Sequence, residues 1–302
     1  MKYLAFVMAA VFLFSATAFS QGGAAGLQIL EVGYSARDLS LANSNDVITG
    51  EPTAIYTNPA GLASIENENG IGLDFMLTHR TYFAGTTIDM FGTRFQGGGF
   101  SFGTSLLLSS VPDIEVRTSP SDDPQSSFSA KDFALAVGVA HNFDNVSVGI
   151  SALYLYEKLF VYESSGYALN FGMQYSPMED IRIGLSGGNF GSSSAMISEK
   201  IALPAFIRIG GSYTKPLDDN FSITGYLEGA AFKSAGISPG IGAELSFQNY
   251  IKFRAGYSSG IEIAGYSFGA GVSYSLLKFD YSYIPLKQDF GNSQTFTVSF
   301  VF

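Results

Sequence analysis

Apolar side chains recur at every second position in a long series of short runs that begins after Gly70 and ends with the chain at Phe302. The last run, Gln294-Thr-Phe-Thr-Val-Ser-Phe-Val-Phe302, shows the pattern most plainly. Phe296, Val298, Phe300 and Phe302 fall on one face, and Thr295, Thr297 and Ser299 on the other. A period of two is that of an extended strand with unlike faces. An apolar strand ending on Phe302 makes sense where one face meets lipid and a neighbouring strand closes its edge, because hydrocarbon satisfies no backbone N–H or C=O group. Phe302 is therefore expected to be the terminus that guides membrane insertion, with barrel-assembly machinery and outer-membrane lipid as partners.

Fourteen such runs can be placed, an even number that suits a closed single-chain barrel. Two of the expected lipid-facing sets matter below: Tyr82, Ala84, Ile88 and Met90 in the second run, and Leu203, Ile207, Ile209 and Tyr213 in the eighth. Short connections at 142–145, 176–180, 216–220, 248–250 and 275–277 alternate with longer ones near 118–130, 158–164, 189–201, 232–238 and 284–293. Membrane barrels sort their turns and loops to opposite rims in this way. Tyr175, Tyr213, Phe221, Phe247 and Tyr250 gather beside the short connections, as an aromatic girdle would. The fold class that follows is all-β: a transmembrane antiparallel β-barrel of about fourteen strands over residues 69–302.

Composition agrees. Of 302 residues only 14% are charged and 15% are aromatic, with 35 Gly, no Cys and no Trp; a soluble domain carries roughly 25% charged residues. The formal charge of −10 argues against nucleic acid as a partner. The absence of Cys excludes disulfides and thiolate metal sites. Lys2, the apolar run Leu4 to Phe14 and the small residues through Ser20 have the layout of a secretory signal over residues 1–20, cleaved after Ala18 or Ser20. Residues 21–68 lack alternation, and Asn58-Pro59 reads as an N-cap followed by a first-turn proline. They form a compact irregular segment placed before the barrel.

The faces opposite the apolar sets carry Asp74, Asp89, Arg182, Arg208, Glu228, Glu244, Lys252, Arg254, Lys278 and Asp280. Each Arg or Lys would cost roughly 2–4 kcal/mol at the lipid midplane, so these residues are expected in the lumen, with Glu228, Glu244 and Arg254 pairing across neighbouring strands. Three G-x-S-x-G matches, at Ser101, Ser186 and Ser267, lie inside alternating strands and lack the helix that a nucleophile elbow requires. They are read as small inward residues, and no enzymatic activity is expected. His79 and His141 are expected at opposite rims, which disfavours a shared metal or triad. Asp122-Asp123 reads as a solvated loop tip, and neither metal nor cofactor is expected.

Gly33-Tyr-Ser-Ala-Arg37 together with Thr53-Ala-Ile-Tyr-Thr-Asn58-Pro59-Ala60-Gly61-Leu62-Ala63 resembles the PorV/PorQ family of outer-membrane barrels, which are related to FadL-type transporters. The chain departs from that pattern at Leu41-Ala42 and Gly50-Glu51. The resemblance implies that residues 21–68 fold into the lumen as a plug, with Arg37 bonding lumen groups and Asn58, Pro59 and Gly61 shaping its turns. It also implies a role in type IX secretion, as a scaffold or partner for secreted proteins or secretion components. The alternative is a FadL-like channel for a small hydrophobic ligand, which needs a break in the wall, with Pro204 and Gly97-Gly-Gly99 as the candidates.

Overall fold

A computed structural model describes residues 26–63, 71–120, 122–196, 199–260 and 265–302. The expected signal at 1–20, the ends of the 21–68 segment and Ala264 lie outside the described residues. Seven strands come first: β1 (Gly72–Thr81), β2 (Thr87–Gly97), β3 (Phe100–Val116), β4 (Ser126–Phe143), β5 (Val146–Leu159), β6 (Tyr162–Met178) and β7 (Ile181–Ser193). A two-stranded ribbon, Ala195–Met196 with Glu199–Lys200, follows. Seven more strands complete the wall: β8 (Phe206–Pro216), β9 (Phe221–Phe232), β10 (Gly236–Phe247), β11 (Ile251–Ser258), β12 (Tyr266–Tyr274), β13 (Leu277–Pro285) and β14 (Asn292–Val301).

Every strand pairs antiparallel with its neighbour, and β1 pairs with β14 from Asp74↔Val301 to Thr81↔Gln294, closing a fourteen-stranded barrel. Leu73 and Phe302 exchange backbone hydrogen bonds of 3.1 and 2.9 Å, so the terminal phenylalanine belongs to the closure. Full closure leaves no unpaired strand edge in the wall.

Turns and loops sort to opposite rims. One rim carries Gly98-Gly99, Asp144-Asn145, Glu179-Asp180, Leu217–Asn220, Gln248–Tyr250 and Ser275-Leu276. Asp144, Gln248, Asn249 and Ser275 adopt left-handed backbone there, as do Gly98 and Gly99; Asp, Asn and Gly tolerate that conformation best. At the other rim two connections are shorter than the sequence suggests. β5 and β6 run on to a two-residue turn at Phe160-Val161, and only 233–235 separate β9 from β10. The charged tips obscured this, since Lys158 and Glu163 face each other across the hairpin and pair at 2.7 Å.

The second strand also differs from expectation. Ile88 and Met90 are buried in the interior, while Phe91 and Phe95 are exposed on the outside. Its true alternation is offset by one residue, which exchanges the faces of every side chain. Leu203 likewise is buried, and it precedes β8 together with Pro204 instead of lying within the wall. The wall is irregular elsewhere, with register shifts between Val111 and Ile114, between Leu169 and Phe171 and between Tyr175 and Met178. β7 bulges between Gly187 and Phe190, where left-handed Asn189 donates its backbone N–H to Asn170 Oδ1 at 2.7 Å.

Residues 26–63 pack inside the ring of strands. They contain a five-residue helix, α1 (Ala36–Ser40), capped by Ser35 Oγ, and short 3-10 turns at Gln28–Leu30, Pro52–Tyr56 and Pro59–Leu62. Leu27, Ile29, Leu30, Tyr34, Ile55, Tyr56 and Leu62 form one apolar core with the inward side chains Met76, Met90, Leu107, Ala134, Leu153 and Leu155. The interior is mixed: the same strands β1–β6 also bury Asp74, Arg80, Arg94, Asn170 and Gln174, and β7–β14 bury Arg208, Glu228, Glu244 and Arg254.

Candidate functional site

The geometry of the lumen starts from its glycines. Where the segment approaches the wall, the inward position is repeatedly Gly. A Cβ at Gly103 would meet Leu62 at 2.9 Å, one at Gly138 would meet Ile55 at 3.0 Å, and one at Gly92 would meet Pro52 at 2.6 Å. On the opposite side a Cβ at Gly242 would lie 3.0 Å from the Leu41 carbonyl oxygen, and one at Gly256 2.6 Å from the Ala42 nitrogen. The three G-x-S-x-G stretches belong to this surface. Gly103 faces Leu62, Ser186 Oγ donates to Asp46 Oδ1 at 2.5 Å, and Ser267 Oγ donates to the Ser40 carbonyl at 3.1 Å.

Asn58 is fully buried. Its Oδ1 accepts from the Ala60 amide at 3.1 Å, the N-cap bond that starts the Pro59–Leu62 turn. Its Nδ2 donates to the Asp46 carbonyl at 2.8 Å within the segment and to the Met173 carbonyl at 3.2 Å in β6. Pro59 takes the first position of that turn, where a missing N–H is harmless. Gly61 packs so tightly on the Ile48 carbonyl that no side chain fits, and its own carbonyl accepts from the Gly50 amide at 2.8 Å.

Arg37 joins the segment to the wall. It pairs with Glu51 at 2.7 Å and approaches Glu244 at 3.8 Å. From Glu244 the chain of charges continues to Arg254 at 2.6 Å, with Lys252 at 3.9 Å, and from Arg254 to Asp280 at 2.5 Å. Glu228 does not join this ladder. It pairs with Arg208 at 2.8 Å and accepts the Asp46 amide at 2.9 Å. Arg182 reaches the segment through the Val47 carbonyl and Thr49 Oγ1, at 3.3 and 3.1 Å. Lys278 lies at the turn rim, lining with Asp74, Asp280, Arg37 and Glu51 a cavity of about 30 Å³, room for roughly one water.

Asp74 pairs with Arg94 at 2.5 Å, and Arg94 also donates to the Leu62 carbonyl at 3.0 Å. Arg94 is an interior residue that the sequence reading missed, because the offset in β2 turned it outward. The same offset misplaced Asp89. Asp89 faces outward, half exposed, and meets His79 Nδ1 at 2.6 Å across β1 and β2. The pair heads an outer groove of about 350 Å³ lined by Leu77, Phe91, Leu106, Leu108, Phe296 and Val298. His141 stands by the turn rim with its ring 4.3 Å from Phe100 and from Phe143. Among the described residues no group of three or more His, Cys, Asp or Glu could hold a metal ion.

Burial leaves two carboxyls of the segment short of partners. Asp38 is 1% exposed, and neither of its oxygens has a hydrogen-bond partner. Desolvation, reinforced by the nearby Glu51 charge, pushes its pKa up to about 8. Asp46 is fully buried and is raised well above the usual carboxylate range by desolvation and by the adjacent Glu228.

No protein-family model matches the chain, and no curated protein does. Its fold does have solved counterparts. The CymD monoaromatic hydrocarbon channel superposes with a TM-score of 0.59 at 13% identity, over 89% of this chain and 97% of that one. The Pseudomonas putida toluene transporter TodX gives 0.56 at 15% identity, over 89% and 96%. A Pseudomonas aeruginosa FadL homologue gives 0.53 at 11%, over 89% and 98%. These likenesses show the fold: a closed antiparallel β-barrel like those of these channels.

Proposed function

We propose that the protein is an outer-membrane channel for small hydrophobic compounds, with residues 26–63 serving as its plug. The observation that carries this reading is the apolar core that the plug shares with inward side chains of β1–β6, among them Met76, Met90, Leu107, Leu153 and Leu155. An apolar solute that reaches this core exchanges water for hydrocarbon-like walls. The likeness to the toluene transporter and the monoaromatic hydrocarbon channel points the same way. In this reading the turn rim and both chain ends face the periplasm, the loops face outward, and residues 1–20 direct export.

Uptake of a labelled monoaromatic hydrocarbon by proteoliposomes tests the reading. Faster entry than into protein-free liposomes is expected, and equal entry counts against it. A type IX secretion partner of the PorV/PorQ kind is the second reading, supported by the Arg37 and Asn58-Pro59-Ala60-Gly61-Leu62 pattern. Deleting the gene would impair release of type IX cargo on that reading; unaltered release would remove it.

A further inference from the structure

Four arginines of the wall are buried: Arg80, Arg94, Arg208 and Arg254. Three of them hold a carboxylate at 2.5–2.8 Å. Arg80 does not. It is 4% exposed, its Nε donates to Ser293 Oγ at 2.9 Å, its guanidinium carbon lies 4.4 Å over the Tyr82 ring, and its buried Nη1 has no partner. A guanidinium cannot shed its proton to escape burial. An uncompensated buried charge costs several kcal/mol.

The unpaired guanidinium has unpaired neighbours. Arg80 stands in register with Thr295 of β14, and Thr295 with Ser282 of β13. Both hydroxyl residues are fully buried, and Thr295 Oγ1 and Ser282 Oγ also have no hydrogen-bond partner. One inward row across three adjacent strands thus presents a fixed positive charge and two free hydroxyl donors. Hydroxyls donate or accept, but a guanidinium only donates, so the group that satisfies the row together is an acceptor carrying negative charge.

The surroundings on the loop-rim side are apolar. Leu39 of α1, Ile284 and Leu286 form a buried cluster against which Tyr82 and Phe83 pack, and Phe290 lies 5.6 Å from Phe83. We propose that Arg80, Thr295 and Ser282 form a binding site for the carboxylate of a small hydrophobic acid, whose apolar body lodges among Leu39, Ile284, Leu286, Tyr82 and Phe83. The site rests on the channel reading and narrows its ligand class. It separates hydrophobic acids from neutral hydrocarbons, which gain nothing from the guanidinium. Entry from the loop rim requires the aromatic cover of Tyr82, Phe83 and Phe290 to turn aside.

Calorimetric titration of the full chain in detergent with benzoate, toluene and acetate tests this. Benzoate is expected to bind at least about tenfold tighter than toluene, since a hydrogen bond to a charged group contributes about 1.5–3 kcal/mol. Arg80→Gln should remove that margin and leave toluene binding unaltered, Arg80→Lys should retain part of it, and Thr295→Val should weaken benzoate alone. Arg80→Gln removes an unpaired buried charge, so it should fold at least as well as the parent; heat-modifiable migration on gels checks this for each variant. Acetate binding as tightly as benzoate would assign the row to free small carboxylates and overturn the apolar half of the site. Toluene binding with no preference for benzoate, or an unchanged preference in Arg80→Gln, would overturn the inference and leave the channel reading intact. Loss of both benzoate and toluene binding in the parent would instead overturn both.

Discussion

Asn58 shows how one side chain can hold a segment without regular structure. It caps a turn, ties two parts of the segment together and reaches the wall, all from a fully buried position. Replacing it with Ala removes those bonds and leaves the Asp46 and Met173 carbonyls poorer. Asn58→Ala is expected to weaken docking of residues 26–63 by about 2–3 kcal/mol. Limited proteolysis of the folded protein reads this as faster cleavage within the segment. Gly172→Leu should do the same from the wall side, because any Cβ at Gly172 overlaps Asn58 Oδ1. Asp38 adds a pH dependence. Its pKa rises from 3.8 to about 8 on docking, so the docked segment retains a proton that a released one gives up. This contribution is fully present below about pH 4 and is lost as pH rises towards 8. Proteolysis of the segment should therefore accelerate from pH 5 to pH 9, and Asp38→Asn should flatten that profile. Asn58 and Pro59 were legible in the sequence because capping is local. The burial of the Asp38 carboxyl without a hydrogen-bond partner was not, since it depends on how the segment packs against distant strands.

At the scale of elements, alternation revealed the strands wherever both faces were consistent. It failed in β2, where Ile88 and Met90 face inward into the apolar cluster that the strands share with residues 26–63. A period of two identifies two faces but does not say which is inside when both are greasy. Phe91 and Phe95, aromatic and two turns of the pleat apart, were the available signal. The misassignment hid Arg94 and turned Asp89 inward, so a single offset produced both errors. The chain lacks Cys, which makes single-cysteine labelling clean. Cysteines at Phe91 and Phe95 should react with a membrane-phase maleimide, and cysteines at Met90 and Ile88 should remain protected. The reverse pattern would restore the sequence-based face. A charge on the outer surface is the energetic counterpart: Phe253→Arg, on a strand whose Phe253 is exposed to the outside, is expected to cost about 2–4 kcal/mol in folding into bilayers, measured by urea titration.

For the whole molecule, the barrel and its strand number were legible because membrane barrels repeat one simple rule. The interior arrangement was less so, since contacts such as Arg37 with Glu244 or Asp46 with Glu228 join residues some 200 positions apart, a separation no local pattern encodes. If residues 26–63 fill the lumen in the membrane, the intact chain should pass little ionic current in planar bilayers. Deleting them should open steady conductance, and equal conductance of both forms would show that the segment obstructs nothing. The closure between β1 and β14 has a further consequence. The α1 backbone binds Thr297 of β14 through the Ala36 amide at 2.9 Å, and the last residue knits to Leu73 near the start of β1. The strand pair that closes the ring therefore also holds α1 from within, so the two are coupled: whatever loosens this seam loosens the inner helix with it.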